Sequence, residues 1–223
     1  MEAAVRELDE KYQPHTIIVY GSRARNDATA TSDIDIACFC DETEVAKDAR
    51  DFQGIFLDAW IYQTEDMQAD RDEFLKLGDG FCALDTRELG GRFLKQIRQR
   101  IHEGPEPMSC EDQLHTVEWI RKMLKRIEQD DLEGMYRRTW LQTDLLEIYF
   151  QLRRLWYFGP KKSLSWLSEN DRTGFNLFKD CYQQPTNLAA LTALSEHVTD
   201  SYERRKTQQE TPDNHENKKS TTQ

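Results

Sequence analysis

One stretch limits the fold more than any other: the apolar run TIIVYGS, Thr16 to Ser22, ends in a Gly-Ser turn and is followed by SDIDIACFC, Ser32 to Cys40. In the second segment Asp33 and Asp35 alternate with Ile34 and Ile36. That period belongs to a strand with one polar and one apolar face. Strand geometry places the two carboxylates on the same face, with Cα atoms roughly 6.5–7 Å apart. A further apolar run, GIFLDAWIY, is interrupted only by Asp58. An unpaired carboxylate there is costly to bury, so it faces a cleft, a partner or a metal, or else pairs with a nearby arginine.

Around these strands the pattern alternates. Val5, Leu8 and Tyr12 have helical spacing that stops at Pro14, ETEVAKDARDF reads as a charged helix, and FCALD as a further short strand. Strands alternating with helices predict an α+β domain with a mixed sheet flanked by helices. From Glu88 the texture becomes helical, and GPEPMS with its two prolines marks a boundary, after which Ser109 and Asp112 resemble a capping box. The expected organisation is residues 1–105 as the mixed-sheet domain, 106–205 as a helical bundle and 206–223 as a disordered polar tail. The longest bundle helix, LEGMYRRTWLQTDLLEIYFQLRRLWYF, is expected to break at Gly159-Pro160.

Composition bounds the partners. The chain has 223 residues, 38% of them hydrophobic, and a formal net charge of −11. That charge opposes the phosphate attraction behind non-specific nucleic-acid binding and suits a cationic partner better. Five scattered cysteines without ligand or framework spacing point to a reduced compartment, and no long apolar run predicts a membrane span. Cytoplasmic location is the expectation. The five histidines are dispersed, and no Walker or dinucleotide fingerprint is present.

Three carboxylates, Asp33, Asp35 and Asp58, facing one point would repel one another, an arrangement that persists when a cation sits among them. Hard oxygen donors suit Mg²⁺ with its remaining ligands from phosphates, and a pair of ions would serve attacking and leaving oxygens. A half-exposed strand with a solvated polar face fits the Asp33 and Asp35 spacing equally well. Gly21 lets the backbone turn close to a ligand, and Ser22 offers a hydroxyl and an N–H; an ordinary helix cap fits the same residues. Arg23 and Arg25 can add positive charge or be solvated.

These residues resemble the nucleotidyltransferase superfamily related to DNA polymerase β, marked by Gly-Ser, a gap, Asp-x-Asp and a later acidic residue. Here those are Gly21, Ser22, Asp33, Asp35 and Asp58, covering about the first sixty residues. GSRAR followed by SDIDI is similar to the minimal and the aminoglycoside nucleotidyltransferases. Asn26 departs from the usual Gly, but Asn tolerates a left-handed backbone. The resemblance implies a metal-dependent transfer of a nucleoside monophosphate, with ATP as donor, to a hydroxyl acceptor. Asp33, Asp35 and Asp58 would hold two Mg²⁺ ions, and Gly21, Ser22 and Arg23 would contact the nucleotide.

A weaker similarity extends into RRLWYFGPKKSLSWL, where an arginine, an aromatic pair and a lysine would reach the triphosphate from the bundle. The candidates are Arg154, Trp156, Tyr157 and Lys161 or Lys162. Asp144, Glu147, Gln151 and Arg154 also recur at helical spacing as one polar stripe, either facing the site, with Glu147 near the acceptor, or simply facing solvent. The acceptor is expected to be a small, aminoglycoside-like molecule, with a protein or tRNA acceptor as the alternative. A nucleotide-binding regulator without turnover is the reading from another class.

Overall fold

The computed structural model describes residues 1–210, and the chain divides into two compact units, Met1–Gly104 and the residues from Pro105 onward. The first unit begins with α1 (Glu2–Tyr12), β1 (Thr16–Tyr20), α2 (Gly21–Arg25) and β2 (Ile34–Cys40). It continues with β3 (Lys47–Phe52), β4 (Ile55–Gln63), two 3-10 helices (Thr64–Asp66 and Asp72–Leu77), β5 (Phe81–Asp85) and α3 (Leu89–Glu103). The strands form one sheet in the order β3-β4-β2-β1-β5, with β2 and β4 parallel and every other pairing antiparallel. The fold is therefore α+β.

Alternation along the strands divides the core between two faces. Ile17, Val19, Ile34, Ile36, Leu57, Ala59 and Ile61 pack with Ala4 and Leu8 of α1. On the opposite face Ile18, Tyr20, Phe39 and Tyr62 pack with Phe74 and Leu77 of the second 3-10 helix and with Phe93, Leu94 and Ile97 of α3. Each Val, Leu, Ile or Phe among them contributes about 1.5–3 kcal/mol on burial. Both faces are covered. Asp35 therefore stands on the second face by the same alternation that sends Ile34 and Ile36 to the first.

The charged segment read as a helix is instead an edge strand, β3. Apolar Val45, Ala49 and Phe52 imitate helical spacing, but the Gln53-Gly54 turn, with φ of 56° and 79°, folds the chain back on itself. A two-residue turn with both φ positive matches strand twist, and it sets Phe52 opposite Ile55. The strand's charges have specific partners. Asp48, only 7% exposed, accepts from Lys11 at 2.9 Å, Tyr12 at 3.0 Å and Arg50 at 2.9 Å. A charged edge also resists pairing with another chain.

The second unit consists of α4 (Cys110–Ile127), α5 (Leu132–Leu152), α6 (Gly159–Asn170), α7 (Arg172–Gln183) and α8 (Leu188–Glu210). Ser109, Asp131 and Asp171 cap α4, α5 and α7 by accepting from Asp112, Gly134 and Gly174 backbone N–H groups. The long helix stops at Leu152, earlier than Gly159-Pro160. Arg154 takes the left-handed conformation (φ 56°), and Leu155 N–H reaches Phe150 O at 2.9 Å while Arg154 N–H reaches Gln151 O at 3.1 Å. That double closure is a Schellman end. Pro160 then starts α6, where its missing N–H costs nothing. Helix α8 runs to Glu210, five residues into the segment expected as tail, and the remainder of that segment, residues 211–223, lies outside the described residues.

Burial pushes the Asp48 carboxyl up, but its hydrogen bonds from Lys11, Tyr12 and Arg50 hold it below the usual carboxylate range. A depressed carboxylate gives stability that is present above its unfolded value, about 3.9, and is lost as pH falls through its lower folded value. Asp48→Asn should lower unfolding free energy at pH 7 by about 1–3 kcal/mol. Urea unfolding between pH 7 and pH 2 should show a smaller acid-induced loss in the variant than in the wild type.

Candidate active site

The register of the sheet builds the site. Tyr20, the last residue of β1, pairs with Asp35, and Asp35 pairs with Asp58 across the parallel β2 and β4. Paired residues on neighbouring strands share a face at about 4.8 Å, so Asp35 and Asp58 stand side by side where β1 ends. Directly after Tyr20 the chain turns at Gly21 (φ 74°). A Cβ there would lie 2.2 Å from Asp35 Oδ2. The backbone thus closes against the carboxylate in a conformation and at a distance that glycine meets without strain.

Asp33 is exposed in the loop one residue ahead of β2, outside the strand that carries Asp35. Arg23 fixes that loop, donating to Ser32 O at 2.7 Å and to Asp33 O at 3.0 Å. Its guanidinium is engaged with backbone rather than free for a ligand. Arg25 is likewise engaged, with Asp79 at 2.6 Å. Ser22 lies partly buried in the first turn of α2, and Asn26 ends that turn in the left-handed conformation, φ 62°. Asn fills a position that favours glycine, so the departure at Asn26 leaves the local backbone intact.

The electrostatics follow from this crowding. Burial is the main cause that raises the Asp35 carboxyl, Asp33 and Asp58 add to it, and Lys76 and Arg25 oppose it. Asp58 Oδ1 is ion-paired with Lys47 Nζ at 2.8 Å. Lys47 and Lys76 were not singled out in the sequence, because a lysine on a charged segment ordinarily reads as solvated. The one local signal for Lys76 is its place inside the apolar run FLKLGDGF.

Among the described residues no three acidic, histidine or cysteine side chains close on a single point. The donors that the sheet brings together are Asp35 and Asp58, with Asp33 adding charge nearby. The adjacent carboxylates of Asp35 and Asp58, whose mutual repulsion helps to raise Asp35, are an all-oxygen donor set that fits Mg²⁺, which keeps waters and takes further ligands from phosphates.

Residues 1–100 match the family model of the nucleotidyltransferase domain. The chain carries a nucleotidyltransferase domain of the polymerase β-like superfamily. It is an enzyme of the nucleotidyl-transferring class, with a nucleoside triphosphate as substrate. A solved structure of a nucleotidyltransferase-like protein from Exiguobacterium sibiricum 255-15 is 16% identical, covering 95% of this chain and 81% of that one with a TM-score of 0.40. No curated protein matches the chain. Among the described residues no helix of this nucleotidyltransferase is long and apolar enough to cross a membrane.

The remaining predicted residues lie in the second unit. Glu147 is exposed on α5 and accepts from Gln151 at 3.1 Å. Arg154 leaves the helical stripe at the Schellman end, where its side chain donates to Pro105 O at 2.9 Å. Lys161 and Lys162 occupy the first turn of α6, with Lys162 Nζ 5.2 Å from the Phe158 ring centroid. Tyr157 packs against the bundle core.

Gly21→Ala should displace Asp35 and strain the turn, lowering stability by about 1–3 kcal/mol. Calorimetric titration with Mg²⁺ and each of the four nucleoside triphosphates should show at least about tenfold weaker binding of the best ligand than in the wild type.

Proposed function

We propose that this nucleotidyltransferase transfers a nucleoside monophosphate, AMP from ATP, to a hydroxyl acceptor and releases pyrophosphate. The in-register pair Asp35 and Asp58, set against the Gly21 turn, carries this reading. Mg²⁺, as two ions held by Asp35 and Asp58 with Asp33, would supply positive charge at the reacting and leaving phosphates. Ser22 offers its hydroxyl to the triphosphate. Arg23 is a positioning residue, since it ties down the backbone that carries Asp33.

Asp58 takes the proton of the acceptor hydroxyl as the acceptor oxygen bonds to the α-phosphorus, and the bond to the bridging oxygen breaks to release pyrophosphate. Positioning and charge neutralisation account for most of the acceleration. From the second unit, Arg154, Lys161 and Lys162 are proposed phosphate contacts on the resemblance, and Glu147 an auxiliary base on the polar stripe of its helix. The acceptor we propose is a small, cationic, hydroxylated molecule of the aminoglycoside kind, consistent with a net charge of −11. A cytoplasmic setting belongs to the same proposal, consistent with five free cysteines.

Incubation of the protein with Mg²⁺, each of four α-labelled nucleoside triphosphates, an aminoglycoside panel and a cell extract identifies donor and acceptor together. Label should appear on a small molecule from ATP and fall by at least about 10²-fold in Asp35→Ala and Asp58→Asn. Label on protein or RNA would replace the acceptor, and undiminished transfer by both variants would remove the carboxylates from the mechanism. Lys161→Ala and Lys162→Ala, assayed on the labelled acceptor, should raise KM for the triphosphate by about threefold to tenfold with little change in kcat.

A further inference from the structure

Lys76 lies in the 3-10 helix Asp72–Leu77 that covers one face of the sheet. Its Nζ is seated on two aromatic rings, 5.5 Å from the Tyr20 centroid and 5.0 Å from the Trp60 centroid. Both rings border the carboxylates: Tyr20 pairs in register with Asp35, and Trp60 follows Asp58 on the same face of β4. The ammonium is partly buried and feels Asp58, Glu73 and Asp35, while burial, the largest influence, pushes its pKa down. Among the described residues it makes no ion pair or hydrogen bond.

Lys47 provides the contrast. Its Nζ also rests on Trp60, 4.4 Å from the centroid, but it is ion-paired with Asp58 Oδ1 at 2.8 Å. One ammonium beside the carboxylates is thus engaged, and the other rests on ring faces without a protein acceptor among the described residues. A partly desolvated ammonium that lacks a protein acceptor gains from a ligand that supplies one. The chemistry that would complete it beside Asp35 and Asp58 is an anionic oxygen.

We propose that Lys76 binds the anionic phosphate chain of the nucleotide, and the pyrophosphate released from it, directly through its ammonium, on a seat formed by Tyr20 and Trp60. This rests on the reading of Asp35 and Asp58 as the nucleotidyl-transfer site and assigns that site a phosphate ligand from within the first unit. Lys47 acts differently. It occupies Asp58 and competes with the divalent ion there.

Calorimetric titration of the full-length protein separates these roles, with Mg²⁺ alone and with inorganic pyrophosphate and tripolyphosphate at fixed Mg²⁺. Lys76→Met should weaken polyphosphate binding at least about tenfold, and Lys76→Arg should restore it to within about threefold. Binding of Mg²⁺ alone should be equal or tighter in Lys76→Met, because a nearby positive charge has been removed. Lys47→Met should bind Mg²⁺ alone more tightly and, at saturating Mg²⁺, keep its polyphosphate affinity.

Polyphosphate binding by Lys76→Met equal to wild type would overturn the assignment, as would an equal loss in Lys76→Arg. If Lys76→Met melts at a lower temperature, Lys76→Gln and Lys76→Arg, compared at matched folded fraction, decide by the same criterion. Wild type without Mg²⁺-dependent polyphosphate binding, or Asp35→Asn binding as well as wild type, would instead overturn the placement of the transfer site itself. These outcomes are distinct.

Discussion

The pairing of β2 with both of its neighbours is the constraint on which the site depends. Antiparallel pairing to β1 places Asp35 opposite Tyr20 and therefore beside the Gly21 turn, and parallel pairing to β4 places Asp58 beside Asp35. Backbone hydrogen bonds thus hold together two like charges that would separate if carried on loops. The apolar residues between them, buried against α1, are what make that register costly to abandon. Local charge compensation is then supplied from outside the motif, by Lys47 on the edge strand and Lys76 on the 3-10 helix.

Much of the first unit was legible because its signals are short-range. The alternation around Asp35, the Gly-Ser turn and the apolar run around Asp58 are local patterns, and each became the element expected, except that β2 begins one residue after Asp33. The helix expected over ETEVAKDARDF failed for a tertiary reason. Its charged residues find partners across the sheet and on α1, at Asp58, Lys11 and Tyr12, and no local pattern encodes those contacts. Lys76 escaped notice for the same reason, since its aromatic seat is assembled from β1 and β4.

In the second unit the helical texture was legible, while the end of α5 was not. Apolar spacing runs without a break from Leu132 to Phe158, and neither Gly nor Pro appears where α5 stops. Arg154 provides the left-handed turn instead, at a steric cost that packing of Leu155 against the core offsets. The same turn removes Arg154 from the polar stripe of Glu147 and Gln151. Asp171 shows how a cap can also organise a core: it caps α7 and accepts from Tyr149 and His197, each at 2.7 Å.

The Gln53-Gly54 turn sets a limit on how the gene for such a chain can vary in length. A strand shifted by a single position presents its other face, so one codon gained or lost within β4 ahead of Asp58 would swing that carboxylate toward α1 unless the turn absorbed the change. A two-residue turn has no slack with which to do so. Length changes are far better absorbed between Asp41 and Ala46, in the irregular segment that links β2 to β3.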